Sequence, residues 1–201
     1  MSKLETNTID TVSGTSTLQV GSTNTSTITL GVSGDTINVP SGVTINNNGT
    51  QTGFGGTNTP AFSVVKTDQQ SISNNTDTTV TFQTEVLDSN GAFASNKFTV
   101  PSGTADAKYF IFAQCYCNSG NNSDLKVASL NLFVNGSRQA LSVFDARSNQ
   151  PRGVGMTISK ILGLGAGDYV EVKAKVDTDD AGITIDGGDS QTTFGGFKII
   201  T

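Results

Sequence analysis

The two cysteines are the first side chains in this sequence to consider for chemistry. The chain of 201 residues has no histidine, which excludes Ser–His and Cys–His nucleophilic schemes. Cys115 and Cys117 are two residues apart, so on a strand both side chains share one face. Their Cα atoms would then be about 7 Å apart, at the outer limit for a disulfide. A zinc site needs more ligands. We therefore expect two small buried thiols.

Carboxylates concentrate in one turn-rich segment near the C-terminus. Two of them could hydrolyse a glycosidic bond, and several could bind calcium, which takes roughly six to eight oxygen ligands. No glutamate ends the segment, so it is not an EF-hand. Acidic residues in such segments are ordinarily solvated turn formers, so both uses are minor alternatives, and no other cofactor is indicated. The glycosidase candidates are Asp177, Asp179, Asp180, Asp186 and Asp189, and the calcium candidates are Asp177, Asp179 and Asp180.

The segment Gly163-Leu164-Gly165-Ala166-Gly167 is similar in composition to a nucleotide-binding loop. A strand follows it, so no helix N-terminus is available for phosphate, and the segment predicts a hairpin turn. The net charge is -5 without a basic run, which argues against nucleic-acid binding. There is no apolar run of about 18 residues and no signal-peptide core at the N-terminus. We therefore expect no membrane span and synthesis in a cytoplasm.

The composition favours β structure over disorder. Only 14% of the residues are charged and 34% are hydrophobic. The charged fraction is low for a globular chain. Disordered chains are usually highly charged and poor in β-branched residues. This chain is instead rich in Val, Ile and Thr, which fit a pleated, half-buried surface.

Residues 1–58 predict a stalk of short strands that also anchors the chain. Phe54 is their only aromatic residue, and four apolar–polar–apolar triplets alternate with Gly- and Asn-containing turns. One chain cannot bury so few aliphatic side chains, but three chains around a common axis can. An extended anchor or a disordered linker is the alternative. The predicted stalk core is Leu18, Val20, Ile28, Leu30, Ile37, Val39, Val43 and Ile45.

Residues 59–201 predict an all-β sandwich or jelly roll. After the glycine-rich joint at 51–59, phenylalanines become frequent and short strands recur at near-even spacing. Turns are explicit at Asp88–Gly91, Asn135-Gly136 and Gly165–Asp168. The predicted strands lie near 61–66, 70–73, 78–84, 97–100, 108–117, 127–134, 140–145, 154–162, 168–176, 182–186 and 193–200.

From residue 60 onward the sequence resembles the complement-C1q/tumour-necrosis-factor (C1q/TNF) family of domains. Each matching piece is weak, but their order and spacing together are specific. A departure is the insertion Thr104–Ala107, and no collagen-like repeat precedes the domain. The matching pieces are Pro60-Ala61-Phe62-Ser63-Val64, Val80-Thr81-Phe82, Asp88–Phe93, Lys97-Phe98-Thr99-Val100-Pro101, Tyr109-Phe110-Ile111-Phe112, Leu132–Gly136, Gly167–Val172 and Thr193–Ile200.

The resemblance implies a ten-stranded jelly roll that forms a homotrimer and binds rather than catalyses. Residues 1–14 further resemble the N-termini of tail-fibre and other structural proteins of marine and cyanobacterial phages. The two resemblances together imply a phage virion protein, made in the host cytoplasm and displayed on the virion surface. Its N-terminal region would bind other virion proteins.

The residues themselves also predict a trimer. In the strand 108–117, Tyr109 and Ile111 share one face while Phe110 and Phe112 share the other, and neither face suits water. One should fill the sandwich core and the other a subunit interface, the alternative being a single sandwich whose loops cover the second face. The predicted core and trimer residues are Phe62, Phe82, Phe93, Phe98, Tyr109, Phe110, Phe112, Tyr116, Phe194, Phe197 and Ile199.

The sequence therefore predicts a short trimeric fibre whose head binds a host-surface glycan or protein. Three polar loops, at 118–124, 146–152 and 177–188, are the expected contact regions. A trimeric capsid decoration protein, a polysaccharide-degrading enzyme and a cellular lectin-like C1q module remain as alternatives. The predicted receptor-contact residues are Asn121, Asn122, Asp124, Arg147, Asn149, Arg152, Asp179 and Asp186.

Overall fold

The structure is a computed structural model that describes residues 20–21, 23–46, 48–49, 58–120, 122–179, 182–188 and 190–200. The chain divides into two compact units, Met1–Gln51 and Thr52–Thr201. We call the first the N-terminal unit and the second the head. Across the described ranges of both units there is no helix, and accordingly none that could cross a membrane.

The N-terminal unit consists of turns and extended segments in its described part. A turn closes from Asp35 N to Val32 O at 3.0 Å and another from Val43 N to Pro40 O at 3.2 Å, as the Gly-containing turn signals predicted. The predicted triplets are not strands here, and their aliphatic side chains are 41–65% exposed instead of half-buried. The single chain offers them no core, so the three-chain stalk stays a prediction. Leu18 lies outside the described residues.

The head is a two-sheet sandwich in which every strand pairing is antiparallel. Its described residues contain thirteen strands. The strands are β1 (Ala61–Val65), β2 (Gln70–Ser71), β3 (Thr78–Thr79), β4 (Thr84–Asp88), β5 (Phe93–Ala94), β6 (Lys97–Thr99), β7 (Ala107–Asn118), β8 (Leu125–Val134), β9 (Ser137–Asp145), β10 (Gly153–Leu164), β11 (Tyr169–Thr178), β12 (Thr184–Asp186) and β13 (Thr193–Lys198).

Strand β7 organises the first sheet, which we call sheet A. It pairs along its whole length with β10 on one side. On the other side it pairs with β13 and, beyond the end of β13, with β12. The sheet continues from β13 to β1 and β4, and from β12 to β2. β7 is therefore paired along both of its edges.

The second sheet, sheet B, is built around β11. This strand pairs with β8 along one edge and with β6 and β3 along the other. β9 extends the sheet beyond β8, and β5 extends it beyond β6. Sheet B supplies the inward-pointing Leu130, Leu132, Val170 and Val172, all at most 1% exposed.

An aromatic cluster fills the space between the sheets. Phe62 of β1 stacks on Phe98 of β6 with ring centroids 4.4 Å apart, and meets Phe194 of β13 edge-on at 4.8 Å. Offset-stacked and edge-on pairs are the favoured aromatic geometries. Phe93 and Tyr109 are also buried, and Phe82 is partly buried against the cluster. Of the predicted core and trimer residues, Phe62, Phe93, Phe98, Tyr109 and Phe194 are buried between the sheets, whereas Phe110, Phe112 and Phe197 lie outside this cluster.

The strand predictions hold for the long strands and fail between β1 and β6. The predicted strand 78–84 is wrong, since pairing covers only Thr78–Thr79 before β4 begins at Thr84. β4 itself and the two-residue β5 were not predicted. These short, partly exposed strands form by pairing with neighbouring strands, and no alternation of apolar and polar residues marks them in the sequence. The ten-strand count is not confirmed, because the described head residues contain thirteen strands, several of them two or three residues long.

The glycine-rich segment 163–167 ends β10 at Leu164 and continues into the predicted hairpin turn. Gly165 N donates to Asp168 Oδ2 at 2.8 Å, and Asp168 N donates to Gly165 O at 3.0 Å. Asn135 Nδ2, from the β8–β9 turn, donates to Asp168 Oδ1 at 2.7 Å. The bond from Gly165, followed by that from Asn135, lowers the pKa of Asp168. One carboxylate thus ties two neighbouring hairpin turns together.

We expect Asp168→Asn to reduce stability at neutral pH but progressively less in acid. A lowered folded-state pKa means that the carboxylate stabilises the fold above its unfolded pKa of about 3.9. That contribution is lost as the pH falls through the folded-state value. The loss in the free energy of unfolding should be at most about 1 kcal/mol because the site is near the surface.

Urea unfolding of the wild type and the variant between neutral and acid pH measures this loss. Asp77→Asn, at an exposed loop position, controls for removal of one charge, and a gap that does not narrow in acid contradicts the prediction.

Candidate functional site

The three predicted contact loops lie at one end of the head. β7 ends and β10 begins at the paired residues Asn118 and Gly153, and β12 joins them with Thr184 opposite Asn118. β9 ends at Asp145 opposite Val127, near the start of β8. The chain enters β1 after Pro60, at the opposite end, where Lys198 N donates to Pro60 O at 3.1 Å. We call the loop end the distal end and the other the proximal end.

Backbone hydrogen bonds fasten two of these loops to each other. Ser119 N donates to Arg152 O at 2.8 Å, and Leu125 N donates to Pro151 O at 3.1 Å. The buried Ser119 hydroxyl lies 2.8 Å from both Asn122 O and Arg152 O. Arg152 Nε donates to Gly120 O at 2.8 Å. The 119–124 and 146–152 loops therefore form one surface.

Asp186 fastens the third loop. Its Oδ1 accepts from Gln69 Nε2 and from the Thr184 hydroxyl, each at 2.8 Å. Its Oδ2 accepts from Asn118 Nδ2 at 3.2 Å. With both oxygens engaged by neighbouring side chains, this carboxylate holds the loop in place and is poorly placed to act as a general acid or base.

Lys126 lies among the carboxylates that were the calcium candidates. It forms an ion pair with Asp179. That hydrogen bond, with the charges of Asp177 and Asp124 nearby, raises the pKa of Lys126. In the described part of the chain, no three Cys, Asp or Glu side chains are grouped to hold a metal ion. Asp180 lies outside the described residues. The ammonium group of Lys126 thus already neutralises part of this acidic surface.

Most predicted contact residues meet at the distal end. Asn122, Asp124 and Arg152 belong to the fastened loops, and Asp179 and Asp186 to the third. Arg147 and Asn149 are exposed on the 146–152 loop, where Arg147 pairs with Asp145 at 2.7 Å. Asn121 and Asp189 lie outside the described residues. The surface is polar, of mixed charge, and built of loops on a rigid sandwich, as binding surfaces often are.

The outward face of sheet A is a second candidate surface. Phe110 of β7 lies opposite Ile161 of β10 and Phe197 of β13. Its ring centroid is 5.7 Å from that of Phe197 and 6.1 Å from that of Phe112. The three rings are partly exposed, and Ile161 is 58% exposed. We call this set, with Tyr116, the aromatic face.

Glycines on the neighbouring strands leave room for two of these rings to lie close over the backbone. A Cβ at Gly195 would come within 2.5 Å of Phe112 Cζ, and one at Gly153 within 2.8 Å of the Tyr116 hydroxyl oxygen. Since a larger residue at Gly195 would push Phe112 outward, the glycine is needed for this close approach. A groove beside Phe112 is lined by Ala113, Gln114 and Thr157.

Two edge strands carry exposed apolar side chains that were not predicted. Leu141, Val143 and Phe144 of β9, at the edge of sheet B, are 36–54% exposed, and Val86 and Leu87 of β4, at the edge of sheet A, are 50–66% exposed. The alternation of Leu141 and Val143 with Ala140 and Ser142, whose strand partners are core residues, was the available signal on β9. It placed larger aliphatic groups on the outer face than on the inner one.

Comparisons with known proteins bear on the fold. No protein-family model matches the chain, and no curated protein sequence matches it. Among solved structures, murine APRIL at pH 5.0 superposes with a TM-score of 0.52 at 14% identity, covering 69% of this chain and 98% of that one. The globular domain of zebrafish complement 1qA matches with a TM-score of 0.48 at 18% identity, covering 70% of this chain and 97% of that one. The head therefore has the C1q/TNF-like jelly-roll fold.

We expect Asp186→Ala to destabilise the head by about 1–3 kcal/mol, because three side-chain donors lose their acceptor. Asp179→Ala is the matched control. Its carboxylate is 69% exposed in a surface ion pair, which contributes at most about 1 kcal/mol. Urea unfolding followed by circular dichroism compares the two. Equal losses of unfolding free energy in the two variants would contradict the structural role of Asp186.

Proposed function

We propose that this chain is a non-enzymatic structural protein of a phage particle. On the premise of a C1q/TNF-like head, three chains form a short spike. The N-terminal unit anchors the spike to other virion proteins, and the distal loops bind a glycan or protein on the host surface. The aromatic face carries the proposal, because a single chain leaves it in contact with water.

The aromatic face is what makes a trimer the economical assembly. Removing one large apolar side chain from water contributes roughly 1.5–3 kcal/mol, and Phe110, Phe112, Phe197 and Ile161 are only partly covered. Their face and the exposed edge strand β9 are different surfaces of one chain. An interface between unlike surfaces closes into a ring when the rotation fits. Three copies related by a threefold axis can therefore cover both surfaces.

The N-terminal unit supports the same assembly. Its described aliphatic residues are 41–76% exposed and recur at short intervals between turns. A segment that cannot bury its apolar groups alone gains stability by packing against copies of itself. A three-chain stalk gives it those partners, and the Thr, Ser and Asn side chains then face water.

The chain enters the head at one end and the contact loops lie at the other, which supports adhesion at the distal end. The chain reaches the head at Pro60, at the proximal end, while the fastened loops project from the other. The distal loops are therefore at the end of the head opposite the residue at which the chain enters it. Hydrolysis is disfavoured, since Asp186 and Asp179 are both engaged in structural contacts.

We predict that the purified chain is a homotrimer with three times the 20.8 kDa mass of one chain. Phe197→Asp should dissociate it, because it places a charge where an apolar interface is required. Native mass spectrometry and light scattering measure the assembly. Asn149→Asp, on an exposed distal loop, adds the same charge away from the face and should stay trimeric. A stable wild-type monomer in dilute buffer would overturn the proposal.

We further predict that Arg147→Glu weakens binding of the labelled trimer to intact cells of the host bacterium by at least about tenfold. A charge reversal at a contact position replaces attraction by repulsion. Ser102→Glu is the control, since it adds a negative charge in an exposed turn at the proximal end. Flow cytometry measures binding, and light scattering checks that both variants remain trimers.

Equal binding by the two variants would contradict a distal contact surface. A trimer that binds no host cells would instead favour the capsid decoration protein. Immunogold electron microscopy separates the two positions directly, because a fibre is labelled at the tail and a decoration protein over the shell.

A further inference from the structure

The outward face of sheet B carries three lysines that the proposed function does not use. On β11, Lys173 and Lys175 alternate with buried alanine and valine side chains, so both point outward. Lys97 of β6 lies opposite Glu171 of β11 on the same face. Successive outward positions on a strand are about 6.7 Å apart, so one ligand can reach all three ammonium groups. We call these three lysines the basic row.

The carboxylate inside the basic row is already engaged. Glu171 is 5% exposed. Its Oε1 lies 3.4 Å from Lys173 Nζ, and its Oε2 accepts from the Thr79 hydroxyl at 3.3 Å. No ion pair among the described residues includes Lys97 or Lys175. Two of the three ammonium groups are therefore available to an anion from outside.

The charge on this face changes sign along the strands. At the distal end, Asp177 and Asp145 lie on either side of Val127. Towards the proximal end, Arg138 of β9 lies opposite Phe133 of β8 and adds a fourth cation. Away from the distal end the face is thus positive, in a chain whose net charge is -5.

Aromatic rings hold two of the lysines in place. Lys97 Nζ lies 4.2 Å from the ring centroid of Tyr169, and Lys173 Nζ lies 4.6 Å from that of Phe133. The ring quadrupole attracts an ammonium group in this position, and a side chain held before binding loses less entropy on binding. Since an ammonium group lies over each ring, both rings are poorly placed to stack on nucleic-acid bases.

A buried acceptor without a partner lies beside the basic row. Asn131 of β8 is opposite Lys173 on the same outward face and is 0% exposed. Its Nδ2 donates to Ser129 Oγ at 3.2 Å and to Lys173 O at 3.4 Å. Its Oδ1 has no hydrogen-bond partner in the part of the chain that the structure describes, which is costly for a buried acceptor. Lys173 and Leu141 flank Asn131 on the neighbouring strands, and both have flexible side chains, so a ligand that displaces either of them reaches Oδ1.

The lysines and the orphaned oxygen require an anion and a hydrogen-bond donor in one ligand. A carboxylate only accepts hydrogen bonds, whereas a hydroxyl also donates, and a uronic acid carries both groups. We propose that the outward face of sheet B binds an acidic polysaccharide. Its carboxylates pair with Lys97 and Lys175, and one of its hydroxyls donates to Asn131 Oδ1. This surface is separate from the distal loops, and the proposal holds whatever the position of the protein on a particle.

A peptide strand does not fit the same surface. β11 pairs with β8 along one edge and with β6 and β3 along the other. The strand that carries two lysines of the basic row therefore offers no free backbone edge for strand addition, and recognition falls to side chains.

Three soluble polymers separate the two requirements without any variant. Isothermal titration calorimetry of the full chain should show binding of polygalacturonate, which carries carboxylates and hydroxyls, with a Kd that rises with salt. Polyacrylate, which has carboxylates but no donor, should bind at least about tenfold more weakly, and neutral dextran should not bind. A chain that ignores polygalacturonate, or binds polyacrylate, dextran or single-stranded DNA equally well, overturns the proposal.

Variants then test the named residues. Lys97→Gln combined with Lys175→Gln should weaken polygalacturonate binding at least about tenfold. The matched control, Lys108→Gln combined with Lys160→Gln, removes two exposed ammonium groups from sheet A and should bind like the wild type. Equal losses in the two double variants would contradict the role of the basic row.

Asn131→Leu tests the orphaned acceptor. It should weaken binding of polygalacturonate and leave the weak binding of polyacrylate unchanged, because only the hydroxyl contact is lost. Circular dichroism and light scattering check that each variant keeps the fold and assembly of the wild type. An unchanged ratio of the two affinities in Asn131→Leu would show that the Oδ1 atom does not contact the ligand.

Discussion

The head depends on a central strand, β7, whose two faces both carry apolar side chains. The inward face of β7 carries Tyr109, Ile111, Ala113 and the two cysteines, each at most 2% exposed. Its outward face carries Phe110, Phe112 and Tyr116, which the single chain covers only in part. The strand that holds the core together thus also presents apolar side chains to solvent.

The remaining surfaces divide their roles by position along the strands. At the proximal end, Asp168 joins two tight turns. At the distal end, longer loops are fastened by Ser119, Arg152 and Asp186, so that a polar surface is displayed with its backbone already ordered. Ordering a loop before binding reduces the conformational entropy that binding must overcome. The arrangement suits a module that is attached at one end and makes contact at the other.

Lys66 is an uncommon residue to find buried. Buried polar groups are ordinarily satisfied by hydrogen bonds, and here the amine relies on two oxygens of Thr81. A protein selected for packing alone could place a Met or Leu at this position without the cost of burying the amine.

The sequence by itself determined the all-β class, the long strands and the family likeness of the head. Alternation along 108–117 identified both apolar faces of β7, since side chains on a strand alternate strictly. Phe62 and Phe98 came from the family resemblance of the pieces that contain them. Tertiary structure decided what alternation does not encode: that three loops far apart in sequence meet at one end, that Asp186 accepts hydrogen bonds from three neighbouring side chains, and that Lys66 is buried. It also decided the short strands β3, β4 and β5, whose pairing partners are distant in sequence. Such contacts arise from how strands are ordered within sheets, and local periodicity carries no information about that order.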